Sequence, residues 1–166
     1  AQLRVFDLGA GNGVVGEELA ARGVRTLVGS DNIPEARDAA VRDRPGLYAD
    51  YLVGDIADLP AAPQVVREHG LNALVCAGAL GLGHISAASF DRLWAAFPPG
   101  SWFAVTIGEA LAEPGGSDFG DYLDGLARDP ARGEIVHRER FRHRLTMAGA
   151  ELYYLAIVAR KASIPE

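Results

Sequence analysis

Three carboxylates stand where short apolar runs end. Asp7 falls inside Leu3 to Leu8, Asp31 follows Thr26 to Ser30, and Asp55 follows Tyr51 to Gly54. A carboxylate in an apolar run is costly unless something pairs with it, so each asks for a partner. Between the first two lies Gly9-Ala10-Gly11-Asn12-Gly13. Glycines there permit a tight reversal and let the backbone approach a ligand closely. Asp31 lies about twenty residues beyond the turn, the spacing of a ribose-hydroxyl acceptor. Together these residues suit a nucleotide-like ligand, and Asp7 favours one that carries positive charge. Two further groups could move a proton. His84, in Ala79-Leu80-Gly81-Leu82-Gly83-His84, titrates near neutral pH and could act as a general base. Glu109 is the second such candidate, while Cys76 reads as a small buried side chain rather than a reactive thiol.

The elements that must position these groups alternate. Leu3 to Leu8 reads as a buried strand, followed by a helical pattern running to Gly23. Thr26 to Ser30 is a second strand, and Pro34 suits the first turn of a second helix. Tyr51 to Gly54, Asn72 to Cys76 and Ser101 to Ile107 read as further strands. Between them lie helices over Pro63 to Gly70 and Ala87 to Phe97; the latter places Phe90, Leu93, Trp94 and Phe97 at helical spacing. Such alternation predicts an α/β, doubly wound and mostly parallel sheet with right-handed crossovers and helices on both faces. The pattern then changes to a long loop from Gly108 to Phe119 and a helix from about Asp121 to Arg128. The last two β-type runs, Ile135 to Thr146 and Glu151 to Ala159, are joined by only Met147 to Ala150. So short a link joins antiparallel neighbours, because a parallel crossover needs a dozen or more residues.

Gly11-Asn12-Gly13-Val14-Val15-Gly16 matches the dinucleotide pattern G-x-G-x-x-G in letters. Its first glycine nevertheless comes three residues after Leu8, whereas that pattern places it at the strand end. Starting at Gly9 restores the position but puts Val14 where the third glycine belongs. A carboxylate at Asp7 also sits poorly beside a pyrophosphate and well beside an ammonium or a sulfonium. The register therefore favours S-adenosylmethionine over NAD, and an NAD-dependent oxidoreductase is the weaker alternative.

With these residues in place, the chain resembles the class I, Rossmann-like S-adenosylmethionine-dependent methyltransferases over nearly its whole length. Asp7 to Gly13 is similar to their first motif, Val28 to Ala36 to the second-strand signature, and Gly54-Asp55-Ile56 to the adenine-side motif. Asn72 to Gly78 resembles the strand facing the methyl group, and Leu93 to Ile107 the helix-turn-strand with its Pro-Gly corner. The resemblance implies a seven-stranded sheet ending in an antiparallel hairpin. It also implies that Asp7 holds the methionine ammonium, with Gly9, Ala10 and Gly11 giving backbone access. Asp31 would accept both ribose hydroxyls, flanked by Asn32 and Ile33. Asp55 would accept from the adenine amino group and Ile56 would pack on the ring, while Cys76, Ala77 and Gly78 line the route to the methyl group. The implied activity is methyl transfer to a small-molecule acceptor. Binding of the cofactor without transfer is the alternative. Family members carry helical sequence ahead of the first strand; here strand pattern begins within about two residues of Ala1, so that cap is expected to be missing.

With 166 residues and 17.6 kDa, one domain is expected, and 49% hydrophobic against 23% charged residues fits a globular protein. A net charge of −6 argues against a general polyanion partner. The basic run His137 to Arg144 would put Arg138, Arg140, Arg142 and Arg144 on one face of a strand, where a solvated stripe is the plainer reading. One cysteine excludes an internal disulfide and a cysteine zinc cage, and no metal is expected. Neither a membrane-spanning run nor a signal peptide is visible, and a cytoplasmic location is expected. Phe119 and Tyr122 could contact an acceptor or anchor their segment in the core.

Overall fold

A computed structural model describes residues 2–56, 61–80 and 85–163. Its strands are β1 (Arg4–Leu8), β2 (Thr26–Asp31), β3 (Asp50–Val53), β4 (Ala73–Ala77), β5 (Trp102–Gly108), β6 (Gly133–Leu145) and β7 (Glu151–Lys161). The helices are α1 (Val14–Ala21), α2 (Pro34–Asp43), α3 (Ala62–Glu68), α4 (Ala87–Ala95), α5 (Glu109–Ala112) and α6 (Asp118–Arg128). All seven strands join in one sheet in the order β3-β2-β1-β4-β5-β7-β6. β1 to β5 are mutually parallel, and β7 runs antiparallel between β5 and β6. The terminal hairpin expected from its short link is therefore present. Chain order reverses between β1 and β4, and it is at such a point that the carboxyl ends of the strands open a crevice.

Two apolar clusters lie on opposite faces of the sheet. Successive strand residues alternate faces, and β1 sends Phe6 and Leu8 to the larger cluster but Val5 to the smaller. Phe90, Leu93 and Trp94 of α4 and Phe119, Leu123 and Leu126 of α6 fill the larger cluster. Phe90 meets Phe103, Phe119 and Tyr122 edge-on, with ring centres 5.0 to 5.8 Å apart. The open choice for Phe119 and Tyr122 thus resolves toward the core: both anchor α6. The start of α4 is fixed by Ser86, whose Oγ accepts the Ser89 N–H at 3.1 Å.

The segment after β5 departs from expectation. Glu109–Ala112 forms the short helix α5, and α6 starts at Asp118 rather than near Asp121. Ser117 is the reason: its Oγ accepts the Gly120 N–H at 3.0 Å, and Asp118 and Asp121 place negative charge in the first turn. The arginine stripe is interrupted as well. A bulge between Arg142 and Arg144 puts Arg144 in register with Leu152 instead of continuing the face that Arg142 shares with Tyr153. Arg138, Arg140 and Arg142 hold Glu113, Glu109 and Glu151 at 2.8, 2.7 and 2.9 Å, so each charge has a local counterion. Among the described residues no helix is long and apolar enough to cross a membrane.

Candidate functional site

A cavity of about 340 Å³ opens at the carboxyl ends of β1 to β4. That volume is in the range of small-ligand pockets. Its wall brings together Gly9, Asp31, Asn32, Asp55, Ile56 and Gly78 from regions as far as 69 positions apart in the chain, all of them singled out by sequence. Leu8, Ser30, Gly54, Ala79 and Ile85 also line the described wall and were not singled out as site residues. They carry no chemical signature of their own. Only the knowledge of which strand ends converge could have placed them there.

The turn between β1 and α1 is closed on itself. The N–H groups of Gly9, whose φ is 73°, and of Ala10 both donate to the Ser30 carbonyl at 2.9 Å. Gly11 N–H donates to Asp31 Oδ2 at 3.0 Å, and the other carboxylate oxygen accepts Ile33 N–H at 3.3 Å. Asp31 thus joins the cavity wall to the turn through charge-assisted bonds. Asp55 is exposed at the rim, and Ile56 beside it is buried.

Asp7 lies beneath the turn rather than on the cavity wall, and only 1% of it is exposed. Its Oδ2 accepts the Tyr48 hydroxyl at 2.7 Å, and the Gly16 N–H near the start of α1 bonds to it as well. Burial raises its pKa from the ordinary 3.8 to about 6, opposed by the bonds from Tyr48 and Gly16 and reinforced by the nearby charge of Asp31. Asp7 is thus not among the residues of the described cavity wall.

The remaining expected residues divide plainly. Ala10 is buried, Gly11 faces Asp31 and Tyr51, and neither is part of the wall. Ile33 precedes α2 and is half exposed, outside the wall. Cys76 belongs to the larger core cluster, where burial first of all pushes its thiol pKa up, and with Ala77 it is not part of the wall. Glu109 opens α5, away from the cavity wall, and its carboxylate is engaged by Arg140. His84 lies outside the described residues. No group of three or more potential metal ligands occurs among the described residues.

The chemistry of this site follows from who occupies the turn's donors. A pyrophosphate binds such a turn through free backbone N–H groups and the positive end of the following helix. Here Asp31 accepts the Gly11 N–H and the Ser30 carbonyl accepts those of Gly9 and Ala10, so the turn's donors are given to the protein's own oxygens. What remains is a cavity with two carboxylates and an apolar shelf of Leu8, Ile56 and Ile85.

No family model and no curated protein sequence matches the chain. Solved structures do. An S-adenosylmethionine-dependent methyltransferase from Mesorhizobium loti superposes with a TM-score of 0.67 at 17% identity, covering 97% of this chain and 92% of that one. A further S-adenosylmethionine-dependent methyltransferase, from Anabaena variabilis, gives 0.65 at 14% identity over 96% of this chain and 77% of its own. A Pyrococcus horikoshii protein provisionally named an RNA methyltransferase gives 0.69 at 13% identity, covering 95% and 72%. The strand order, the antiparallel β7 and these superpositions together give the conclusion: the chain has the class I S-adenosylmethionine-dependent methyltransferase fold.

Proposed function

We propose that the cavity binds S-adenosylmethionine and that the protein transfers its methyl group to a small-molecule acceptor. The observation that carries this reading is the capture of the turn's donors by Asp31 and the Ser30 carbonyl, which favours a cationic nucleoside over a pyrophosphate. The wall also fits the group. Ser30 lies in it with a buried hydroxyl that has no hydrogen-bond partner among the described residues, as expected of a surface awaiting a polar ligand. Asp31 would accept from the ribose hydroxyls, Asp55 from the adenine amino group, and Ile56 would cover the ring. Gly9 and Gly78 would admit the methionine end, with Asp7 acting from beneath the turn.

When bound, S-adenosylmethionine supplies an activated methyl group whose transfer is an in-line displacement. The chain's part is alignment and exclusion of water. Leu8, Ala79 and Ile85 would supply the apolar side. His84 stays the candidate base for acceptors that must lose a proton, and Glu109 needs Arg140 to release it first. The paired arginines of β6 support a small acceptor over a nucleic acid, since their charge is already neutralised. Binding without transfer is the alternative reading, because Asp31 and Asp55 are the titratable groups of the described wall and both are assigned to the donor.

Thermal shift with S-adenosylmethionine, S-adenosylhomocysteine and NAD tests the donor. Stabilisation with the first two is expected, growing with ligand concentration over Kd; a shift with NAD alone overturns the reading. An acceptor screen that detects S-adenosylhomocysteine then separates transfer from binding.

A further inference from the structure

The loop between α2 and β3, together with the start of β3, reaches back to the turn from the face opposite the larger core. Tyr51 Oη donates to the Gly11 carbonyl at 2.7 Å, Tyr48 Oη to Asp7 at 2.7 Å, and Arg44 Nη1 to the Asn12 carbonyl at 3.0 Å. Arg44 also pairs with Glu17 of α1 at 2.9 Å. The two tyrosine rings meet edge-to-face with centres 5.4 Å apart, so they pack on one another. Two glycines make room for them. A β-carbon on Gly16 would lie 2.5 Å from the Tyr48 hydroxyl, and one on Gly29 would lie 2.7 Å from the Tyr51 ring. Three features of the turn region, the Asp7 carboxylate and the Gly11 and Asn12 carbonyls, are thus held from one side by this loop and the start of β3.

We propose that Tyr48 and Tyr51 are positioning residues of the donor-binding turn, fixing Gly11 so that its N–H keeps Asp31 aimed into the cavity. This rests on the reading that the cavity binds S-adenosylmethionine. The chain of contacts is short: Tyr51 holds the Gly11 carbonyl, the Gly11 N–H holds Asp31 Oδ2, and Asp31 lines the cavity. Tyr48 acts through Asp7 on the Gly16 N–H and so on the start of α1. The charged and titratable groups facing Asp7 are Tyr48, Tyr51, Asp31 and Cys76, and of these Tyr48 gives the main contact favouring its ionised form.

The test compares wild type, Tyr48→Phe and Tyr51→Phe, with Tyr122→Phe as control. The control removes the hydroxyl of Tyr122, which lies on α6 away from the turn. Calorimetry with S-adenosylhomocysteine is expected to show roughly tenfold weaker binding in each turn variant, the loss of about one hydrogen bond, and no change in the control. In Tyr48→Phe the pH at which affinity falls on acidification should also move up, because Asp7 loses the bond that favours its charge. Hydrogen exchange without ligand should speed up at Gly11 and Gly13 in Tyr51→Phe. Wild-type affinity and exchange in both variants overturn the proposal. If wild type fails to bind at all, the functional reading falls, and the exchange at Gly11 and Gly13 alone decides whether the tyrosines hold the turn.

Discussion

Replacing Asp7 with Asn should stabilise this protein at alkaline pH. The carboxyl is buried, and its pKa is raised from the ordinary 3.8 to about 6, with burial as the main cause. A group whose folded pKa is raised contributes stability that is present in full below 3.8 and lost as pH rises through about 6. That rise corresponds to roughly 3 kcal/mol, since each pH unit of difference is worth about 1.4 kcal/mol. Asn has no proton to lose, and its geometry suits the site. Its carbonyl can accept the Gly16 N–H while its amide donates to Tyr48 Oη, whose hydroxyl can rotate to accept. Urea unfolding of both proteins at pH 4 and pH 8 measures the effect. The two stabilities should lie close together at pH 4, and the variant should be ahead by up to about 3 kcal/mol at pH 8. Comparing the two proteins cancels every other group that titrates in the same window. A variant less stable than wild type at pH 8, or a difference that does not grow with pH, would refute the argument that burial dominates at Asp7.

Other perturbations reach other parts of the molecule. Asp31→Asn should weaken S-adenosylhomocysteine binding by about two orders of magnitude in calorimetry. An amide has one accepting oxygen and no charge, where the carboxylate uses both oxygens on the Gly11 and Ile33 N–H groups and would also accept from the ribose. Lys161→Met should cost about 2 kcal/mol in urea unfolding, since the ammonium accepts no substitute where it donates to the Trp94 and Phe97 carbonyls at the end of α4 at 3.0 and 2.7 Å. Phe90→Ala should cost about 3 to 5 kcal/mol, the range for removing a buried aromatic ring that touches three others. Arg138→Ala should change stability by less than about 1 kcal/mol, since its pair with Glu113 is exposed to water.

The sequence was most informative where a physical constraint acts locally. The apolar runs, the Gly-Ala-Gly-Asn-Gly turn and the short link before β7 each demand one conformation, and the strands and hairpin follow. Asp31, Asp55 and Ile56 were legible because strand ends converge at the reversal of strand order. Asp7 was legible as a residue needing partners but not for which partners: Tyr48 is 41 positions away and reaches it from another loop. The partner of Glu109 was hidden for the same reason, since Arg140 lies 31 positions on and nothing local announces the pairing. Ser30, Ala79 and Ile85 are ordinary residues made significant by placement alone. The arginine alternation on β6 was legible until the bulge, a feature of pairing with β7 that single-strand periodicity cannot carry.

The same placement of charge makes a further demand on the ligand. Asp7 neutralises the positive end of α1, and Asp31 and Asp55 leave the cavity negative. S-adenosylmethionine carries a sulfonium that S-adenosylhomocysteine lacks, so at low ionic strength the first should bind more tightly than the second. The Debye length is about 30 Å at 0.01 M salt and about 8 Å at 0.15 M. Attraction from an exposed carboxylate such as Asp55 should therefore fade with added salt, whereas that from buried Asp7 should persist. Calorimetry at the two salt concentrations should find a preference for S-adenosylmethionine that narrows without vanishing. In Asp7→Asn the residual preference at high salt should shrink. An equal affinity for both ligands at both salt concentrations would mean that these carboxylates shape the turn and do not select the charge of what binds above it.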